Sequence, residues 1–142
     1  MKKKILIVAA NFYTDFCDKL INSAKKELIN FKKVDIIKVP GVFEIPVTIS
    51  RKIKKYDGVV ALGCVIKGET PHFDLISRST FDAIIRISVD YNKPITNGII
   101  TCLNMRQAIQ RSSISQNSKK NNKGKEAADA LVALLKNEPK NS

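Results

Sequence analysis

Residues 58–74 read GVVALGCVIKGETPHFD, and this stretch decides the fold. Its first eight positions are apolar or glycine with no alternation, the pattern of a parallel strand covered on both faces. Gly68, Thr70 and Pro71 then break the run; threonine suits a helix N-cap and proline a first helical residue. Across residues 71–91, Phe73, Ser77, Phe81, Ile84 and Ser88 recur every three or four positions, which is a helical stripe. Strand, turn and helix together make one βα unit, and the same unit repeats on either side. Residues 4–9, KILIVA, are a second continuous apolar strand, followed over 15–31 by Phe16, Leu20, Ala24, Leu28 and Phe31 on one helical face. Residues 34–39 form a strand closed by Pro40-Gly41, and 44–53 a helix carrying Ile45, Ile49 and Ile53, with Pro46 in its first turn. Residues 95–101 are the fourth strand. Helices over 104–111 and 124–136 are separated by the polar stretch 112–123, and 137–142 read as a frayed tail. No repeat or linker intervenes, so residues 1–142 read as a single α/β domain. It is a three-layer sandwich, a four-stranded parallel sheet with helices on both faces.

Composition narrows the class of protein. With 44% apolar and 27% charged residues among 142, the chain supports a core of ordinary size. No apolar run approaches the roughly 18 residues that span a bilayer. The opening Lys2-Lys3-Lys4 precedes only a short apolar stretch with no small-residue cleavage site, so it reads as a first strand and not a signal peptide. The net charge of +12 suggests a polyanionic partner, but 20 lysines, 19 isoleucines and 11 asparagines mark a general compositional bias. The cations are scattered, so nucleic acid is not the expected ligand; the same field favours small anionic substrates. Cys17, Cys64 and Cys102 include no CxxC pair, and with one histidine they give no metal-ligand spacing. Cys64 and Cys102 end apolar runs, as buried thiols do, and the reduced thiols point to the cytoplasm.

In doubly wound sheets ligands bind beyond the carboxyl ends of the strands. Three loops lie there: 10–12, 40–44 and 66–72. The third fits Walker A spacing except that Glu69 replaces the lysine, which argues against triphosphate chemistry. A helix starting at Thr70-Pro71 still offers free backbone N–H groups to a monophosphate. His72 lies in its first turn, and imidazole is the side chain suited to move a proton near neutral pH. The loop Pro40-Gly41-Val42-Phe43-Glu44 joins bare backbone, an aromatic ring and a carboxylate, which could sandwich a planar heterocycle and bond its edge. Phe12 could stack on the same ring.

Taken together, PGVFEIP at 40–46, ALGCVIKGETPHFD at 61–74, QAIQR at 107–111 and Asn122-Lys123-Gly124 closely resemble the lumazine synthase family of riboflavin biosynthesis. The resemblance implies a flavodoxin-like fold. It also implies condensation of 5-amino-6-(D-ribitylamino)pyrimidine-2,4-dione with 3,4-dihydroxy-2-butanone 4-phosphate, giving 6,7-dimethyl-8-ribityllumazine, phosphate and water. No cofactor or metal is implied. The resemblance assigns proton transfer to His72. It assigns Phe12, Val42, Phe43, Glu44, Cys64, Val65 and Ile66 to the pyrimidine and its ribityl chain, and Glu69, Thr70 and Arg111 to the butanone phosphate. Lys123 falls near the phosphate and ribityl groups, and Arg111 and Lys123 reach in from a neighbouring subunit. Asn97 stands where many members place a phenylalanine over the ring, and the stretch between Arg111 and Lys123 is longer than in many.

Two other classes are compatible with parts of this pattern: a non-catalytic flavin-binding relative, and a basic α/β regulator that binds phosphate or nucleic acid. His72 and Arg111 weigh against the first; Val65-Ile66, in place of a phospho-accepting aspartate, weighs against the second. The expected assembly is a homo-oligomer, a pentamer or decamer and not a sixty-subunit shell. The reasons are a first strand that begins by Lys4 and the insertion with Lys119 and Lys120. Riboflavin synthase is the protein partner that the resemblance suggests.

Overall fold

The computed structural model describes residues 2–113 and 122–137. Four parallel strands, β1 (Lys4–Ala10), β2 (Lys33–Val39), β3 (Gly58–Ile66) and β4 (Ile95–Cys102), lie in the order β2-β1-β3-β4. Five helices connect and cover them: α1 (Thr14–Glu27), α2 (Ile45–Lys52), α3 (His72–Tyr91), α4 (Met105–Ser112) and α5 (Lys123–Lys136).

Alternate residues of the central strands feed two separate cores, as a strand's period of two requires. Ile5, Ile7 and Ala9 of β1 join Val60, Leu62 and Cys64 of β3 beneath α1, α4 and α5. Leu6, Val8 and Ala10 join Val59 and Ala61 beneath α2 and α3. β1 from Ile5 onward and the whole of β3 are therefore apolar or glycine because both of their faces are covered. The expected flavodoxin-like sandwich of α/β class is what the chain forms. On the first face, Gly124 sits so close to the Leu20 carbonyl that a Cβ would overlap it, which lets α5 pack directly onto α1. Among the described residues no helix is long and apolar enough to cross a membrane.

Strand limits agree with the sequence reading to within a residue or so. Helix limits differ more. The first helix stops at Glu27, not at residue 31, because Leu28 leaves helical geometry (φ −107°, ψ 12°). Leu28 and Phe31 stay buried in the same core, so the apolar stripe outlasts the helix that began it. The second helix is flanked by single 3-10 turns, Val42–Glu44 before it and Ile53–Lys55 after it. The third begins one residue later than expected: Pro71 occupies the cap position and no side chain caps it. Thr70 Oγ1 only accepts a long 3.4 Å bond from the His72 N–H. Asn104 and Asn122 cap α4 and α5, accepting from the Gln107 and Lys125 amides at 3.0 and 2.9 Å. Asn122 Nδ2 also donates to Ser23 Oγ and to the Ser113 carbonyl. The expectations for the insertion, including Lys119 and Lys120, and for the frayed tail lie largely outside the described residues.

Candidate functional site

At the carboxyl ends of β1 and β3 the chain leaves a cavity of about 610 Å³, a size suited to a small organic ligand. The ends of three strands and the first turns of α3 build it. Phe12 and Tyr13 enter from the turn after β1; Gly41, Val42, Phe43 and Glu44 form one wall; Cys64, Val65 and Ile66 finish β3 as the floor. His72 and Ile76, one turn apart on α3, close the fourth side.

Local sequence explains the wall. The Glu44 N–H donates to the Gly41 carbonyl at 3.2 Å, making the 3-10 turn, and Thr48 Oγ1 donates to the Glu44 carbonyl at 2.8 Å. Val42 is buried in the second core, so Phe43 is turned outward and 66% exposed. The turn lies flat on β3 because position 63 is glycine: a Cβ there would stand 3.0 Å from Val42 Cγ2 and 3.1 Å from Ala10 Cβ. Phe12 is likewise 72% exposed, held by an edge-on contact with Tyr13 at a centroid distance of 4.9 Å. Two exposed aromatic rings at the mouth of an apolar pocket are the parts needed to hold a planar heterocycle.

The floor is chemically quiet. Cys64 and Cys102 are free and buried. Ile66 pairs with Cys102 and Cys64 with Ile100, which sets the two thiols diagonally across β3 and β4. Burial, reinforced by the Cys102 thiol, pushes the Cys64 thiol up to about 12. Cys102 is also raised by burial, against opposing effects of the Cys64 thiol and the Arg111 guanidinium, and its Sγ donates to the Val65 carbonyl at 3.8 Å. Cys64 therefore serves as shape and not as a nucleophile.

Eight of the sequence-predicted positions, Phe12, Val42, Phe43, Glu44, Cys64, Val65, Ile66 and His72, are brought together here. The others stand apart within one chain. Glu69 and Thr70 are on the exposed rim between β3 and α3. Arg111, in the last turn of α4, donates from Nη1 to the Thr101 carbonyl at 2.9 Å, beside the end of edge strand β4. Lys123 opens α5 and pairs with Glu126 at 3.4 Å. Asn97 is exposed on β4, its Oδ1 accepting from the Ile99 N–H at 2.9 Å. It pairs with Ala61, three residues before the level of Cys64, or about 10 Å along the strand. The sequence reading took in Gly41 only as bare backbone of its loop, and it missed Tyr13 and Ile76. Two signals were present: Tyr13 adjoins a predicted site residue, and Ile76 is four positions after His72.

Comparison with known proteins gives the geometry its context. Residues 2–138 match the family model described as 6,7-dimethyl-8-ribityllumazine synthase. A protein of that name from Leuconostoc mesenteroides is 41% identical over 139 residues, covering 94% of this chain and 86% of its own length. Namesakes from Vesicomyosocius okutanii and Nitratiruptor are 37% and 35% identical, again over 94% of this chain, and 84% and 88% of theirs. A cavity assembled from the motifs that carry the resemblance, inside a match that runs nearly from end to end, places this chain in the 6,7-dimethyl-8-ribityllumazine synthase family.

Proposed function

We propose that the chain catalyses the family's condensation. The 5-amino group of the ribitylaminopyrimidinedione attacks the carbonyl of 3,4-dihydroxy-2-butanone 4-phosphate, and loss of water gives an imine. Phosphate leaves through an enol, and the ribityl-bearing nitrogen closes the second ring with loss of further water. Phe12 and Phe43 hold the pyrimidine, while Glu44 accepts hydrogen bonds from the ribityl hydroxyls. His72 moves protons between the condensing nitrogen and oxygen atoms. The main rate gain comes from holding two substrates in register. The buried thiols and apolar floor exclude water from the imine.

The observation that carries this reading is the joining of eight motif positions around one cavity. A second observation bears on assembly. Among the described residues no lysine or arginine lines that cavity, although one substrate is a phosphate ester. Arg111 uses one of its five donors on Thr101, which leaves the rest for a phosphate presented by another chain. We therefore read the enzyme as a homo-oligomer in which Arg111 and Lys123 complete a neighbour's site, with Glu69 and Thr70 on the rim presenting backbone N–H groups. Leu75, Ile85 and Val89 on α3, and Leu103, Met105 and Ile109 around α4, are exposed apolar residues that such contacts would cover. A pentamer or a decamer is the assembly we favour, in the cytoplasm. The flavin-binding and regulator readings gain nothing from the structure.

Mixing the two substrates with the purified protein should give lumazine absorbance and free phosphate in equal amounts. Absence of either product would overturn the reading. Light scattering after size exclusion should give a mass of about five or ten chains, and a sixty-chain particle would refute the smaller assembly.

A further inference from the structure

Tyr13 is a cavity residue that none of the motif positions anticipates. It follows the stacking residue Phe12 directly, and its ring is fixed on both sides: edge-on to Phe12 at 4.9 Å and tilted against Phe16 at 5.9 Å. Phe16 is buried in the core, so the Tyr13 ring is anchored and only half-exposed. Among the described residues no group accepts a hydrogen bond from its hydroxyl. Burial, and then the neighbouring Cys64 and Cys102, raise its pKa above the ordinary value for a phenol. The group is thus a neutral donor throughout any enzymatic pH range, placed in a pocket whose remaining lining is mostly apolar.

From this geometry we infer that Tyr13 is a specificity-determining residue, donating its hydroxyl to a ring carbonyl of the pyrimidinedione substrate. This rests on the proposed function. The complementarity is chemical. A heterocycle lying against Phe12 brings its edge to the next residue's hydroxyl, and a phenol is a donor suited to a carbonyl acceptor. The ribityl hydroxyls, being donors, have their acceptor in the Glu44 carboxylate on the opposite wall. An apolar pocket discriminates weakly between similar rings, whereas a placed hydrogen bond rejects a ring that lacks its partner. Tyr13 therefore selects the dione edge, and Phe12 supplies affinity for any flat ring.

The test is Tyr13→Phe, which retains the ring and its packing, in the full-length enzyme with both substrates varied. Loss of one neutral hydrogen bond should raise KM for the pyrimidine by about 3- to 10-fold, with kcat and KM for the butanone phosphate unchanged. The same ratio should appear with an analogue whose ribityl group is replaced by ethyl, because the ring edge is retained. A penalty that vanishes with the ethyl analogue would place the contact on the polyol and overturn the inference. So would an unchanged KM, or a loss spread over kcat and both substrates, which would indicate a packing role. Tyr13→Leu, which also removes the support of Phe12, should cost more than Tyr13→Phe for both pyrimidines; an equal cost would show that the ring lends Phe12 no support. Failure of the proposed function is distinguishable, because the wild-type protein would then form no lumazine.

Discussion

Replacing Gly63 with alanine should separate stability from activity. The new Cβ meets Ala10 Cβ at 3.1 Å and Val42 Cγ2 at 3.0 Å, while Ile45 Cδ1, at 3.8 Å, is in ordinary contact. Comfortable carbon–carbon separations begin near about 3.5 Å, so about half an ångström must be found. Ala10 supplies little, because it is buried at the end of β1 and paired with Val39 of β2. Val42 can supply it, since it lies on a short 3-10 turn, and the turn carries Phe43 and Glu44 with it. Local overpacking costs about 1 kcal/mol, and exchanging glycine for alanine recovers about 0.4–1 kcal/mol through the unfolded chain. The two nearly cancel, so Tm should move by less than about 4 °C. Catalysis has no such compensation. A 1 Å misplacement can cost about 10²-fold, and half of that displacement should cost about 10-fold in kcat/KM for the pyrimidine. Steady-state lumazine formation and a thermal melt on the same preparation decide it. Unchanged kcat/KM would show that the wall does not depend on close contact with β3. A fall in Tm of more than about 10 °C would show that the turn cannot yield.

Arg111→Ala should raise KM for the butanone phosphate by about 10- to 150-fold, the value of a charge-assisted contact, and leave the pyrimidine KM nearly unchanged; equal effects on both would refute its assignment. His72→Ala should lower kcat by about 10²-fold, since phosphate is a competent leaving group and water can relay protons; wild-type kcat would remove the imidazole from the mechanism. Cys64 should resist iodoacetamide in the native protein at pH 8, where a thiol titrating near 12 holds only about 10⁻⁴ of its population as thiolate; rapid labelling at that position would contradict its buried environment. The same shift carries a sign for stability. The unfolded thiol releases its proton near 9 and the folded one near 12, so folding is progressively disfavoured as pH rises between these values, and Tyr56, held up to about 12 by burial and by its bond to Asp35, acts in the same direction. Tm should therefore fall from pH 9 to 11, and a flat or rising profile would refute the argument.

The strands were legible because they are buried on both faces. Residues such as Ile5, Leu6, Ile7 and Val8 face alternate cores, which hides all four on a strand. Helix ends were less legible because apolar periodicity reports burial, not hydrogen bonding. Leu28 and Phe31 continue the stripe of α1 after the chain has left the helix. The start of α3 was misread by one residue for a related reason. Thr70 is a good cap in isolation, yet the structure gives the cap position to Pro71, with φ −70° and ψ 4°, and no side chain caps the helix. Tyr13 was passed over because its neighbour Phe12 already explained an aromatic at the end of β1.

Arg111, Lys123 and Asn97 were found in the sequence, yet the single chain leaves them outside the cavity. The sheet order gives the reason. β4 is an edge strand, and the cavity lies beyond the carboxyl ends of β1 and β3, closed by α3 on one side of the sheet. α4 lies with α1 and α5 on the other side, Ala108 being part of that core. Arg111 therefore reaches the rim of β4 from behind and is held there by the Thr101 carbonyl. Asn97 sits on the same edge strand, about 10 Å below the level of the floor. Arg111 stands nearer, because Thr101 pairs with the lining residue Val65, yet neither residue lines the cavity of its own chain. A second copy has exposed apolar residues to pack on along the α2–α3 side, Phe43, Val47 and Leu75. Arg111 and Lys123 thus stand outside a cavity that, among the described residues, no lysine or arginine lines. Mixing the impaired Arg111→Ala and His72→Ala proteins, unfolding them together and refolding them should raise the activity above the sum of the two, because some mixed sites would pair an intact His72 with a neighbour's intact Arg111. If activity stays at the sum of the two separate variants, each site is built from one chain and the argument from the edge strand fails.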